Sequence, residues 1–217
     1  MVHIYPAVMG IDQEEIQKIE LLKKISDRVH IDIMDNLFVP NVTHGTDLIK
    51  ECSEKIGFFP WIHLMVQHPL AFYERMSLPN EALVSFHIES SVDVLRMIKT
   101  IKEKKHAASI AISPKTALVD VVPFAHGIDQ VLVMSVDPGF SGQAFLPSVL
   151  PKIKELVKYR EAHGLHFRIA LDGGINENNI QVLALMGVDD FAVSSGIFGQ
   201  KDPEGSLQEL VYLVESE

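Results

Sequence analysis

Imidazole and carboxylate side chains interrupt several apolar runs of this sequence, where an ionisable group is unfavourable unless it is paired or bound to a metal. In Val29-His30-Ile31-Asp32-Ile33-Met34-Asp35 they alternate with branched aliphatics. Successive side chains of a strand point to opposite faces, so His30, Asp32 and Met34 share one face and Val29, Ile31 and Ile33 the other. His63 stands in Trp61-Ile62-His63-Leu64-Met65, His87 and Glu89 share a face of Phe86-His87-Ile88-Glu89, and Asp172 begins Asp172-Gly173-Gly174. One such histidine alone reads as a hydrogen-bonded core residue. Brought to one height, His30, Asp32, His63 and Asp172 form a two-nitrogen, two-oxygen donor set for a divalent metal ion, zinc first, with iron, manganese or cobalt as alternatives. Met34 and Met65 fall on the same faces as these residues, and Met9 and Met134 lie near the ends of their runs. These four would line the site with polarisable sulfur. His87 and Glu89 would orient a ligand or steady the metal ligands from behind.

Glycine supplies the second signal. Asp137-Pro138-Gly139-Phe140-Ser141-Gly142-Gln143, Gly173-Gly174 and Ser194-Ser195-Gly196 follow the last three apolar runs. Glycine lets backbone N–H groups approach an anion closely. Any one of these segments reads as a tight turn. Three in succession read as a phosphate cradle, because the loops after the last strands of a (β/α)8 barrel are its usual phosphate site.

Such side chains need a scaffold that gathers strand ends. Eight short runs rich in Val, Ile and Phe read as strands, over 4–9, 28–34, 61–65, 83–87, 108–112, 130–135, 167–171 and 190–193. Helices are expected over 13–25, 45–55, 69–76, 91–104, 116–122, 147–163, 176–185 and 203–214. Ser90 or Ser91 suits the fourth helix as a cap and Asn176 the seventh. Pro69, Pro147 and Pro203 suit first turns, and Gly164 and Gly187 mark helix ends. Val149, Ile153, Leu156 and Val157 give the sixth helix one buried stripe. Eight strand–helix units without a Ser/Gly-rich linker predict one domain over residues 1–217, a single-domain (β/α)8 TIM barrel of the α/β class. An open doubly wound sheet would want a glycine-rich first turn, but Met9-Gly10-Ile11-Asp12 holds one glycine.

Composition removes other classes. With 19 basic residues against 29 acidic, the net charge is −10, and the only local lysine cluster, 102–105, is broken by Glu103. That is a poor nucleic-acid binder and a poor partner for anionic membranes. The single cysteine, Cys52, forms no internal disulfide and fits a reducing, cytoplasmic setting. No apolar run nears the roughly 18 residues of a membrane span, and the N-terminus lacks the pattern of a signal peptide.

Taken in order, VHIDIMDNLFVPNVTHG (29–45), HLMVQHP (63–69), FHIE (86–89), VLVMSVDPGFSGQAFLP (131–147), LDGGIN (171–176) and SSGIF (194–198) resemble the ribulose-phosphate 3-epimerase family, including its D-allulose-6-phosphate 3-epimerase branch. The resemblance implies an isomerase of carbohydrate metabolism in the pentose phosphate pathway, usually a homo-oligomer, a dimer or higher. It implies metal ligands at His30, Asp32, His63 and Asp172 and acid/base carboxylates at Asp32 and Asp172. The implied substrate and phosphate pocket takes in Gly10, His63, Gly139, Gly142, Gly173, Gly174, Ser194 and Ser195. Met34, Met65, Met134, His87 and Glu89 would line the site. Some positions depart from the family pattern: Gly10 replaces a serine, Ser113 and Asp137 replace asparagines, Ser194 replaces a glycine, and Asp35-Asn36-Leu37 replaces Asp-Gly-His. No ligand or proton carrier is lost. Asp137 and the Val8-Met9-Gly10-Ile11-Asp12 start look closer to the allulose branch.

The expected reaction inverts carbon 3 of a 2-ketose phosphate, most simply between D-ribulose 5-phosphate and D-xylulose 5-phosphate. Two carboxylates would move protons on opposite faces around a metal-stabilised enediolate. D-allulose 6-phosphate and D-fructose 6-phosphate form the alternative pair. A lyase or decarboxylase of this shape would want a strand-end lysine, and the eight runs contain none. A non-catalytic phosphate-binding barrel is the rival outside enzymes; it would have lost a ligand or a carboxylate.

Overall fold

The computed structural model describes residues 1–10, 13–43, 45–90 and 93–216. Its strands form where branched and aromatic residues concentrate: β1 (His3–Val8), β2 (Arg28–Met34), β3 (Phe59–Met65), β4 (Leu83–His87), β5 (Ala107–Ile112), β6 (Gln130–Met134), β7 (Arg168–Asp172) and β8 (Asp190–Val193). They pair in parallel and in sequence order, and β8 returns to β1 to close a barrel. The helices are α1 (Gln13–Leu22), α2 (Gly45–Lys50), α3 (Pro69–Glu74), α4 (Val94–Glu103), α5 (Leu150–Ala162), α6 (Ile180–Leu185), α7 (Ser195–Phe198) and α8 (Pro203–Glu215). Strand ends fall within two residues of the sequence reading. Crossovers differ more. Between β5 and β6 the expected helix is replaced by two short 3-10 turns, Leu118–Asp120 and Val122–Phe124, because Pro123 brings no N–H to continue an α-helix. α2 runs on into a wider π-helical turn, Glu51–Ile56, which ends at Gly57.

Caps also shift. Asp93, not Ser90, caps α4 by accepting the Arg96 N–H; Ser91 lies outside the described residues, as do His44, Ile11 and Asp12. Asn176 accepts the N–H of Asn178 in the turn before α6. His106 is buried with its Nδ1 2.7 Å from the Tyr73 hydroxyl.

Alternation divides the core. Val29, Ile31, Ile33, Ile62 and Leu64 face outward into the layer under the helices. Inside the barrel Trp61 packs with Leu83, Leu132 and the small side chains of Ala7, Ala111, Ala170 and Ala192. The indole needs that room, and its Nε1 donates to the Ser85 hydroxyl at 2.7 Å. Register sets heights: Asp32 pairs with His63, Met34 with Met65, and Met134 with Asp172.

A polar plug closes the N-terminal end. Buried Asp190 accepts from Arg168 Nε and Nη2 at 2.7 and 2.6 Å and from Gln130 at 2.9 Å. Burial pushes this carboxyl up, but His3 and Arg168 hold it below the usual carboxylate range. Asp190→Asn should lower unfolding free energy by about 2 kcal/mol, discounted from the roughly 3–5 kcal/mol of a broken buried pair because Arg168 reaches solvent. The folded carboxyl titrates below its unfolded value near 4, so the wild-type advantage is present above that pH and fades as pH falls through the folded value. Urea unfolding at neutral and acid pH checks both statements.

Candidate functional site

Four side chains converge at the C-terminal ends of β2, β3 and β7. Oδ1 of Asp32 lies 2.8 Å from His63 Nδ1 and 3.1 Å from His30 Nε2. Oδ2 of Asp172 lies 3.5 Å from the same His63 nitrogen and 3.7 Å from the same His30 nitrogen. One donor atom from each residue lies within 4.8 Å of every other. Asp32 and Asp172 come from strands separated by β1 and β8. Each is fixed through its backbone by a hydroxyl: Thr43 Oγ1 donates to the Asp32 carbonyl at 2.7 Å, and Ser135 Oγ to the Asp172 carbonyl at 2.9 Å.

Electrostatics follow from burial and pairing. Burial pushes the Asp32 carboxyl up, but the His30 and His63 imidazoles outweigh it and hold Asp32 well below the usual range. Burial works against a charged His63, yet Asp172 and Asp32 raise its imidazole to about 9. Without an ion the cluster is thus a buried anion–cation group. Two imidazole nitrogens and two carboxylate oxygens facing one point suit a divalent ion, and these four residues could hold one. His30 Nδ1, on the ring edge away from that point, is buried with no hydrogen-bond partner.

The cavity above is lined by Asp32, Asp172 and the four methionines Met9, Met34, Met65 and Met134. Gly139, Gly142, Gly173, Gly174, Ser194 and Ser195 form its glycine-rich wall. His30 and His63 are buried at its floor. Gly10 opens instead onto an adjoining cavity with Met9, Asn41, Thr43, Ser141 and Ser194. His87 and Glu89, expected in the lining, do not border the cavity. They stand behind His63: His87 Nε2 is 3.0 Å from His63 Nε2, and His87 Nδ1 is 3.0 Å from Glu89 Oε2. Burial pushes the Glu89 carboxyl up, but His87, Thr116 and the Ser113 N–H bring it to about 2.

Other contributors were not singled out from sequence. Phe140, Ser141 and Gln143 line the cavity from within the glycine loop, with Val136, Ile175 and Ala192. Gln143 clamps that loop by donating to the Asp137 and Phe140 carbonyls at 2.7 and 3.0 Å. Phe38 and Val39 pack on the methionines, and Asn41 donates to the Gly139 carbonyl at 3.2 Å, joining the loops after β2 and β6. Ser141 and Gln143 were legible as polar residues inside the glycine loop; Val136, Ile175 and Ala192 carry no chemical signal.

The sequence profile described as the Ribulose-phosphate 3 epimerase family matches residues 2–198. This chain belongs to that family. Family membership makes it an isomerase, a carbohydrate epimerase. The ribulose-phosphate 3-epimerase of Bacillus subtilis (strain 168) is 32% identical over 216 residues, covering 97% of this chain and 98% of the relative. That of Escherichia coli (strain K12) is 34% identical over 186 residues, covering 85% and 83%. Among solved structures, 3-hexulose-6-phosphate synthase from Salmonella typhimurium matches with a TM-score of 0.70 at 16% identity over 98% of both chains. Orotidine 5'-monophosphate decarboxylase from Sulfolobus solfataricus matches with a TM-score of 0.68 at 11% identity, over 99% of this chain and 98% of that one. At such identities the likeness is of fold alone. Among the described residues no helix is long and apolar enough to cross a membrane.

The glycine wall of this epimerase-family site makes a graded prediction. Gly142 has φ +77° with no atom of the described residues within 4 Å of an added Cβ, whereas Gly174 has φ +66° and its Cβ would lie 2.3 Å from the Phe145 backbone nitrogen. Gly142→Ala should therefore cost about 1–2 kcal/mol, the left-handed backbone penalty alone. Gly174→Ala should lose at least twice as much. Urea unfolding of the two variants checks the ranking, and equal losses would contradict it.

Proposed function

We propose that the chain interconverts D-ribulose 5-phosphate and D-xylulose 5-phosphate by moving the proton at carbon 3 between Asp32 and Asp172. The observation that carries this is the pair of aspartates, from non-adjacent strands, meeting two imidazoles at the floor of one glycine-walled cavity. The relatives named ribulose-phosphate 3-epimerase support the substrate.

In this reading the phosphate sits against the backbone N–H groups of Gly142, Gly174, Ser194 and Ser195, which anchors the sugar with carbon 3 near the aspartates. One aspartate, ionised, accepts the carbon 3 proton while the other, entering the step as the carboxylic acid, delivers its own proton to the opposite face, and the two exchange roles in the reverse direction. The nearly buried methionines offer a polarisable, water-poor surface to the flat enediolate. A divalent ion held by His30, Asp32, His63 and Asp172 would offset the negative charge that develops on oxygens 2 and 3. Zinc heads the candidates for that ion.

D-allulose 6-phosphate is the competing substrate. Among the described residues nothing lies within 4 Å of a Cβ added at Gly10, where the family carries serine, in the cavity adjoining the site. Room of that kind favours a longer sugar. A kinetic comparison of the two phosphates after metal reconstitution decides between them, since the larger kcat/KM identifies the substrate. Asp172→Asn should fold with an unchanged circular dichroism spectrum and lose about 10²–10⁴-fold in turnover, the usual contribution of a positioned acid or base. It should also stop incorporating solvent deuterium at carbon 3 of the epimer whose proton Asp172 accepts, while Asp32 can still exchange the proton of the other epimer. Turnover within tenfold of the wild type would end the two-aspartate scheme.

A further inference from the structure

We infer that Glu89, acting through His87, is a positioning residue that decides which nitrogen of His63 is free to bind an ion. This rests on the ion-site reading proposed above and adds a residue that does not border the cavity.

Three side chains form one line. His63 Nδ1 faces the carboxylates of Asp32 and Asp172, while its Nε2 lies 3.0 Å from His87 Nε2. His87 Nδ1 lies 3.0 Å from Glu89 Oε2. Both rings are fully buried, and the Phe38 ring covers His87 at 4.8 Å between centroids. Water therefore cannot substitute for a missing partner inside the line.

Each link has one consistent proton arrangement. A carboxylate only accepts, and a neutral imidazole has one donor and one acceptor nitrogen. Glu89 thus requires the hydrogen of His87 on Nδ1. That leaves His87 Nε2 as an acceptor, so His63 must carry its hydrogen on Nε2. In the neutral state that ion binding requires, the lone pair of His63 is then on Nδ1, the nitrogen aimed at the two aspartates. Without Glu89 the line reads equally well backwards, with the His63 hydrogen on Nδ1, where it blocks an ion.

Glu89 is itself held in place. Its Oε1 accepts the Ser113 N–H at 2.7 Å and the Thr116 hydroxyl. Lys152 Nζ donates to the carbonyls of Ser113 and Pro114, both at 2.9 Å, which fixes the loop carrying those donors. The Ser113 N–H cannot reverse its direction, and this makes glutamine an informative replacement. In Glu89→Gln the amide oxygen must face Ser113, so the amide NH2 faces His87 Nδ1. The whole line is then driven into the blocking arrangement. In Glu89→Ala, His87 Nδ1 meets the space vacated by the side chain, and neither arrangement is imposed.

The test measures zinc affinity of the purified chain by chelator competition for wild type, Glu89→Gln and Glu89→Ala. The expected loss for Glu89→Gln is about 10–100-fold, the usual range for a residue that orients a metal ligand. Glu89→Ala should lose less. A role in packing alone gives the opposite order, because glutamine keeps the shape and alanine leaves a void, and that order overturns the inference. Nitrogen-15 spectra of the zinc-loaded wild type read the same point without a variant. Protons on His63 Nε2 and His87 Nδ1 support the inference, and protons on the other pair overturn it. A wild-type chain that takes up no zinc, or takes it up equally after His63→Ala, defeats the ion site itself and the inference with it. Zinc uptake that needs His63 but ranks glutamine at or above alanine defeats the inference alone.

Discussion

Two carboxylates at the floor of one cavity repel each other, and the imidazoles of His30 and His63 are what hold them together. A single oxygen of Asp32 lies within hydrogen-bond reach of both rings, and Asp172 approaches the same two nitrogens from the far side. With no cation at the focus, at least one imidazole must supply positive charge to balance the pair. The upward pull on His63 and the downward pull on Asp32 are two views of that requirement. A divalent ion would meet the same requirement with charge to spare, so the cluster that balances itself without an ion could also hold one.

The barrel makes this geometry available through register. Parallel pairing places Asp32 beside His63 on neighbouring strands and Met134 beside Asp172, while alternation keeps Val29, Ile31 and Ile33 in the helix-facing layer. The layers along the axis do different work. Asp190 and Arg168 close the N-terminal end with a paired plug, and Trp61 fills the centre against small side chains. Asp32 and Asp172 face the cavity at the open end. Thr43 and Ser135 then fix the aspartate backbones from outside the cavity, so that the carboxylates rest on rigid strand ends rather than on loops.

Much of this was legible in the chain itself. Branched and aromatic runs marked every strand, since those residues suit a pleated, buried surface. The alternation in 29–35 by itself places His30, Asp32 and Met34 on one face. Crossovers were harder, because a helix such as that expected over 116–122 depends on whether Pro123 interrupts it, and propensity outweighed that single residue in the sequence reading. The burial of His106 has no local signal, because its partner, the Tyr73 hydroxyl, lies 33 residues away in the chain. The position of Glu89 behind His63 was hidden for the same reason. Its spacing from His87 was visible, but its anchors at Ser113 and Thr116 are long-range contacts that no local pattern encodes.

The two histidines of the cluster are supported in different ways, and this difference separates the site from its fold. A synthase and a decarboxylase share this barrel, so the scaffold alone does not select the chemistry. His30 is oriented by packing: its ring meets Trp61 edge-on at 4.4 Å, and its Nδ1 has no hydrogen-bond partner. His63 is oriented by a line of hydrogen bonds that ends on an anion. A ligand held by packing keeps its place but leaves its tautomer open. A ligand held by a chain of donors and acceptors has both fixed. The two rings thus reach one focus by different means, His30 through packing and its contact with Asp32, His63 through a hydrogen-bonded line.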